Sequence, residues 1–173
     1  MGSPGAQRSS ELRRWHVAGG IIEVEGRVLL VENLRRNGTT DWSPPGGVVE
    51  SGEESIDGLT REVFEETGLV VEEWHGPLYS VETVAIDMGW HLSVKVFRAV
   101  AWKGNVSVGD DPDGIVTDAR FLDHAGCAEK MAANGLWVRE PLLTWLTDRW
   151  SDHRAFRYLL EGNDRAAMTV TRQ

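Results

Sequence analysis

The stretch "GGVVESGEESIDGLTREVFEETGL", from Gly46 to Leu69, decides the architecture of this chain. Its second half predicts an amphipathic helix over Ser55–Thr67, because apolar residues recur there at steps of three and four. The predicted buried stripe consists of Ile56, Leu59, Val63 and Phe64. Gly68 follows and predicts the end of the helix, since glycine readily adopts the left-handed conformation that terminates a last turn.

The same helix carries a concentrated acidic face. Glu62, Glu65 and Glu66 stand at i, i+3 and i+4 and therefore lie close together. Their mutual repulsion costs an isolated helix a few tenths of a kcal/mol per pair, on the order of 0.2–0.5 kcal/mol. Such a face is either an ordinary solvated surface or a group of hard oxygen ligands for Mg²⁺ or Mn²⁺. The turn "SPPGG" just before it can bring backbone carbonyls to the same place.

The spacing of these residues resembles the Nudix box. That pattern is Gly, five residues, Glu, seven residues, Arg-Glu, an aliphatic residue, any residue, Glu-Glu, any residue, Gly and an aliphatic residue. Every specified position is matched between Gly47 and Leu69. The resemblance implies a hydrolase that uses Mg²⁺ or Mn²⁺ to cleave a pyrophosphate bond in a nucleoside diphosphate linked to another moiety.

The resemblance also implies roles for individual residues. The metal ligands would be Glu62, Glu65 and Glu66, with the carbonyl oxygen of Gly46 as a further ligand. Glu53 and Arg61 would form a pair in which the arginine fork holds a carboxylate in place. The catalytic set implied within the box is Glu53, Arg61, Glu62 and Glu65.

The family often adds an acid from a later loop, as a further ligand or base. Asp113 is the first candidate here. The acidic loop that contains it offers Asp110, Asp111, Asp113 and Asp118. Ordinary turn aspartates are the alternative interpretation. Glu82 is a rival from outside the loop.

The box does not select the substrate. Arg35 and Arg36 precede it and are candidates for phosphate binding, with plain surface charge as the alternative. Trp42 is a candidate for stacking on a base, as is Trp90, with core packing as the alternative. His75 and His91 are interpreted as structural histidines.

Known substrate signals of the family are missing downstream of the box. The proline of ADP-ribose hydrolases would fall near Ala85, and the tyrosine of dinucleoside polyphosphate hydrolases near Ile86–Asp87. The extra motif of coenzyme A hydrolases is not matched either. The substrate classes that remain are a nucleoside triphosphate and a nucleotide sugar. The alternative function is a binding module that senses a nucleotide without turnover, which the loss of a box carboxylate would favour; none is lost.

Composition limits the other classes of function. The chain has 173 residues and a net charge of −9, which argues against binding to duplex nucleic acid. Its only cysteine, Cys127, excludes an intramolecular disulfide. No apolar run approaches the roughly 20 residues needed to span a membrane. Residues 1–14 are interpreted as a flexible polar leader, and we expect a cytoplasmic protein without membrane partners.

The order of predicted elements places the box in a mixed α/β (α+β) fold, a Nudix-like α/β/α sandwich around a mixed central sheet. A hairpin turning at Glu25–Gly26 comes first, and a loop over Leu34–Gly47 leads to the helix. Strands follow, including Trp90–Trp102 and Ala119–Leu122, and then one or two helices with Pro141 in a first turn. Residues 15–150 form the predicted domain. Residues 151–173 add a predicted β-hairpin of the same domain, on the sheet or in a homodimer contact.

Overall fold

The computed structural model describes residues 12–109, 112, 114–164 and 167–173. The strands within these ranges are β1 Arg13–Ile21, β2 Glu23–Val24, β3 Arg27–Leu34, β4 Thr40–Ser43, β5 Gly46–Val48, β6 Val70–Ala85, β7 Trp90–Lys103, β8 Val116–Leu122, β9 Arg154–Glu161 and β10 Thr169–Arg172. The helices are α1 Ser55–Thr67, α2 His124–Lys130 and α3 Leu136–Asp148.

The strands form two sheets. The larger sheet has the order β10-β9-β6-β7-β1-β5 and is mixed, because β1 runs parallel to β7 and β6 parallel to β9 while the other pairs are antiparallel. In the smaller sheet β3 pairs with β2 and β4 along one edge and with β8 along the other. The predicted α+β class with a mixed central sheet is therefore confirmed.

Successive side chains of the central strands enter two different cores, as expected where a strand is covered on both faces. Val96 packs into a cluster with α2 and α3, whereas Phe97 packs into a cluster with α1. On β3, Leu30 belongs to the cluster with α2 and α3, and Leu29 belongs to the cluster with α1. Helix α1 therefore covers one face of the larger sheet and α3 the other, which is the sandwich that the sequence predicts.

The first hairpin forms at the predicted turn. Glu25 and Gly26 have φ values of 51° and 76°, the left-handed pair that a two-residue hairpin turn requires. The predicted loop over Leu34–Gly47 is wrong in part, because it contains the short strands β4 and β5. Their pairing is dictated by neighbouring strands and not by local composition, so turn residues such as Gly46 lie inside a ladder with β1.

Helix α1 has the predicted limits, Ser55 to Thr67, and ends at Gly68 with φ 70°. Leu59 and Val63 are fully buried, as predicted. Phe64 is 54% exposed, contrary to the prediction, because it lies about 140° around the helix from Leu59 at 3.6 residues per turn. Ile56, in the first turn, is also exposed. The polar Glu66 and Thr67 are buried instead.

Other element boundaries differ from the sequence prediction. β1 begins at Arg13, so the last two residues of the predicted leader, 1–14, lie in a strand. Pro141 is not in the first turn of α3, because the helix already begins after Gly135. β9 and β10 pair antiparallel near the C-terminal end and extend the larger sheet beyond β6. No helix within the described ranges is long and apolar enough to cross a membrane.

The contrast between Leu59 and Phe64 gives a test of the α1 packing. Leu59→Ala should lower the free energy of unfolding by about 2–5 kcal/mol, because it removes fully buried methyl groups and leaves a cavity. Phe64→Ala on the same helix should change it by no more than about 0.5 kcal/mol, since the ring is mostly exposed. Urea denaturation of both variants checks the prediction. Equal losses would mean that α1 packs in a different rotation.

Candidate active site

A single arginine organises the carboxylates of the α1 region. The Arg61 guanidinium donates to both oxygens of Glu53, at 3.1 and 3.2 Å. Its Nη1 also donates to Glu62 at 2.8 Å and to Glu65 at 3.3 Å. The planar fork of arginine suits the first contact, and its spare donor group serves the others. Three carboxylates that would repel one another therefore share one cation.

This arrangement shifts the protonation equilibria of the pair. The hydrogen bond from Arg61 holds the pKa of Glu53 below its ordinary value, and the Glu50 backbone N–H that donates to the same carboxylate lowers it further. The hydrogen bonds to Glu53 and then Glu62 raise the pKa of Arg61. Both groups are therefore charged throughout the physiological range, and the pair persists.

The backbone of β5 approaches the same carboxylates. The Gly46 N–H donates to Oε2 of Glu66 at 2.8 Å. A Cβ on Gly47 would stand 2.5 Å from the carboxyl carbon of Glu62. Gly46 has φ 140°, and a Cβ there would overlap the carbonyl oxygen of Ala18 on β1. Gly46 is required by its backbone conformation and by the neighbouring strand, whereas a side chain at Gly47 would displace the Glu62 carboxylate.

These residues provide the kind of oxygen donors that a divalent cation prefers. Glu62 and Glu66 both lie against the Gly46–Gly47 backbone, and Glu65 joins them through Arg61. Carboxylate and backbone oxygens are the ligands typical of Mg²⁺ and Mn²⁺. Within the described ranges no three His, Cys, Asp or Glu side chains are already grouped to hold a metal ion, and Arg61 supplies the positive charge among them.

The substrate-binding candidates occupy different environments. Arg35 is paired with Asp41 through two contacts of 2.6 Å, and both Arg35 and Arg36 line a cleft. Trp42 is only 5% exposed and belongs to the larger hydrophobic core. Its carbonyl accepts from Asn134, and the Lys130 ammonium sits 4.9 Å from its ring centroid. Burial on this scale leaves no ring face for a base, so Trp42 is a packing residue.

The candidate acids outside the box are divided between described and undescribed parts of the chain. Asp110, Asp111 and Asp113 lie outside the described residues, and Asp113 stays a prediction. Asp118 lies on β8 and binds Arg120 at 2.6 Å and the Ala119 N–H at 2.8 Å. Glu82 lies on β6 and accepts from Ser93 and contacts His91 Nε2, both at 2.6 Å. The carboxylates of Asp118 and Glu82 therefore both bind partners within their own sheets.

A cleft of about 1220 Å³ opens between the two sheets, next to the box. Its lining residues are Trp15, Val17, Leu34, Arg35, Arg36, Gly38, Val48, Trp90, Leu92, Gly114, Ile115 and Trp137. Trp15, Val17 and Val48 also line a smaller cavity of about 620 Å³ that reaches Glu53. The sequence alone does not predict Trp15 and Trp137 as residues that line the cleft. They reach it only because β1 pairs parallel to β7 and because α3 packs against the sheet.

Comparison with solved structures identifies the class of the fold. The MutT protein of Bacillus halodurans superposes with a TM-score of 0.62 at 20% identity, over 92% of this chain and 97% of that one. The likeness establishes a shared fold. A family model described as the NUDIX domain matches residues 12–146. The chain belongs to the Nudix family.

Curated relatives share shorter regions. A MutT-like protein of Streptomyces ambofaciens is 42% identical over 72 residues, which cover 42% of this chain and 45% of that protein. The ADP-ribose pyrophosphatase of Methanocaldococcus jannaschii is 32% identical over 106 residues, covering 60% of this chain and 59% of that protein. The chain thus spans less than two thirds of the length of these relatives.

The approach of Gly47 to Glu62 can be tested directly. Gly47→Ala should lower turnover about 10- to 100-fold, because the added methyl group forces the Glu62 carboxylate away from its position. Gly19→Ala on the paired strand is the matched control, since its methyl group would meet Val96 at an ordinary 3.4 Å. Steady-state kinetics and thermal melting of both variants provide the readout. Unchanged turnover in Gly47→Ala would show that the position of Glu62 is unimportant.

The lowered pKa of Glu53 predicts a pH-dependent contribution to stability. A carboxylate whose pKa is lowered by folding stabilises the protein above its unfolded pKa, ordinarily 4.5, and loses that effect as the pH falls through its folded pKa. Glu53→Gln should therefore destabilise the protein at pH 7 and have a smaller effect at about pH 3. Urea titrations of both proteins at the two pH values measure the difference. A pH-independent difference would contradict the assignment.

Proposed function

We propose that this protein is a metal-dependent hydrolase that cleaves a pyrophosphate bond in a nucleoside diphosphate linked to another moiety. The observation that carries the proposal is the placement of three carboxylates of one helix: Glu62 and Glu66 lie against the Gly46–Gly47 backbone, and Arg61 binds Glu62 and Glu65. Family membership supports the same conclusion.

Glu62, Glu65, Glu66 and the carbonyl oxygen of Gly46 would hold Mg²⁺ or Mn²⁺. The bound metal would neutralise phosphate charge and lower the pKa of a coordinated water molecule. Arg61 fixes the orientation of Glu62 and Glu65, and Glu53 in turn fixes Arg61. A carboxylate of this set accepts the proton of the attacking water; Glu65 is our candidate, since it makes the longest contact with Arg61.

The proposed substrate is a nucleoside triphosphate or a nucleotide sugar. The Methanocaldococcus relative is named for ADP-ribose, in which a nucleoside diphosphate is joined to a sugar. The name of that relative supports the general substrate class, although the proline signal of ADP-ribose hydrolases is missing here. The acidic composition supports a small nucleotide ligand in preference to duplex nucleic acid.

Glu65→Gln tests this proposal. The change keeps the shape of the side chain but removes the charge and the proton-accepting carboxylate, so turnover should fall by about 100-fold or more. Glu54→Gln is the matched control, because Glu54 is outside the proposed ligand set and its side chain makes no helix-capping hydrogen bond. Both variants and the parent protein should be assayed against nucleoside triphosphates, nucleotide sugars, ADP-ribose and dinucleotides with Mg²⁺ or Mn²⁺.

Two outcomes would overturn the proposal in different ways. Equal loss in Glu54→Gln and Glu65→Gln would show that general charge near the helix, and not the Glu65 carboxylate, controls activity. If none of the panel is hydrolysed while one nucleotide binds tightly, the chain is a nucleotide-sensing module. Circular dichroism of each variant separates lost chemistry from lost fold.

A further inference from the structure

The larger sheet has a polar, exposed area on the side that α1 covers only in part. Residues two apart on a strand lie on one face, so Arg14 shares a face with Ala18 of β1. Lys95 shares a face with Phe97 of β7 for the same reason. Ala18 and Phe97 are buried in the cluster with α1, whereas Arg14 and Lys95 are exposed. This side of the sheet is therefore open to solvent next to the helix.

Two further strands extend this area. The Glu82 carboxylate on β6 contacts Ser93 Oγ and His91 Nε2 on β7, both at 2.6 Å. The register of β6 and β9 places Arg157 beside Glu82, and Arg157 is exposed. The surface that results, called the open face below, consists of Arg14, Glu82, His91, Ser93, Lys95 and Arg157.

The open face carries more positive than negative charge. Arg14, Lys95 and Arg157 form no ion pair with any residue in the described ranges. Glu82 is the carboxylate among these six residues, and both of its oxygens are already bonded. The whole chain has a net charge of −9, so a surface with three unpaired cations is contrary to its composition. Such a surface is complementary to a ligand with several negative charges.

The open face is separate from the large cleft. Trp15 and Leu92 line that cleft. They alternate along β1 and β7 with Arg14 and Ser93, and successive side chains of a strand point to opposite faces. A ligand on the open face would therefore lie across the sheet from anything held in the cleft.

One border of the open face limits where an anion can lie. Arg14 and Lys95 also line the smaller cavity, together with Glu50 and Glu53. The two carboxylates repel an acidic ligand at this border. The favourable direction for the ligand therefore runs across β7 and β6 toward Arg157, away from the carboxylates of the box.

The distance across the open face indicates an extended ligand. Arg14 and Arg157 are three strand spacings apart, about 14 Å at roughly 4.8 Å per spacing. In an extended peptide, side chains on one side repeat about every 6.8 Å, so about five residues can present three carboxylates over that distance. A nucleic acid strand fits less well, because none of the six residues is Trp, Tyr or Phe for base stacking. The net negative charge of the chain also repels a polyphosphate backbone.

We propose that the open face is a docking surface for an extended acidic segment of a partner protein. Arg14, Lys95 and Arg157 bind the carboxylates of that segment, and His91 and Ser93 keep Glu82 from competing for these cations. Docking uses none of the proposed metal ligands on α1, so this inference goes beyond the proposed hydrolase function and does not depend on it. The contacts are exposed ion pairs, so the affinity is modest and depends on salt.

Peptide binding measured without metal or nucleotide tests the proposal. The probe is fluorescein-labelled hexaglutamate, titrated with the full chain and followed by fluorescence anisotropy. Arg157→Glu and Lys95→Glu should each weaken binding about fivefold or more, because each removes an attraction and adds a repulsion. Arg27→Glu is the matched control, since it changes the net charge by the same amount at an exposed arginine outside the open face and should leave the affinity unchanged. Raising NaCl from about 50 mM to about 300 mM should also weaken binding to the parent protein.

Four results would overturn the docking surface. The first is no binding of hexaglutamate by the parent protein at low salt, and the second is an equal loss in Arg27→Glu, which would show that only overall charge matters. The third is tighter binding of a labelled thymidine hexanucleotide through the same residues, which would assign the surface to nucleic acid. The fourth is self-association of the parent protein in analytical ultracentrifugation that Arg157→Glu abolishes, which would place a second copy on the surface. Thermal melting of each variant confirms that the fold is retained.

Discussion

The Arg61 guanidinium is the interaction on which the site depends. Carboxylates at i, i+3 and i+4 of one helix repel each other, and a folded chain must compensate for that repulsion before a ligand arrives. Arg61 does so for Glu62 and Glu65 and also binds Glu53, while Glu66 accepts a hydrogen bond from the Gly46 N–H. Because the guanidinium is rigid and planar, it also fixes the directions of the carboxylates and not only their separation. The site is thus positioned in advance by an ion-pair network within one short segment.

This network works only because α1 is held tightly to the sheet. Leu59 and Val63 are fully buried against Ala18 of β1 and neighbouring residues. The strand that carries Gly46 and Gly47 pairs with β1. The helix and the two glycines are therefore held in place by the same strand. The close approach of backbone to carboxylates follows from this shared support, which is why side chains are excluded at both glycines.

The sequence was most informative where contacts are local. Apolar periodicity predicts the limits of α1 and its Gly68 end, and the resemblance to the Nudix box implies the Glu53–Arg61 pair; all of these features lie within one segment. The predictions that were wrong concern residues whose contacts lie far away in the chain. Phe64 satisfies the apolar pattern yet faces outward, and β4 and β5 form in a segment with the composition of a loop, because other strands are available to pair with them.

Trp42 and Trp15 show why the lining of the cleft is harder to predict than the carboxylates of α1. Both are tryptophans near apolar strands, and nothing in their local sequence distinguishes them. Packing of α2 and the turn at Asn134 covers Trp42, whereas Trp15 stands near the edge of the larger sheet beside β7. The carboxylates that share Arg61 all lie within one short segment, whereas the tryptophans that line the cleft come from β1, β7 and α3. The spacing of the α1 segment can therefore be read from the sequence, whereas the lining of the cleft depends on how β1, β7 and α3 pack together.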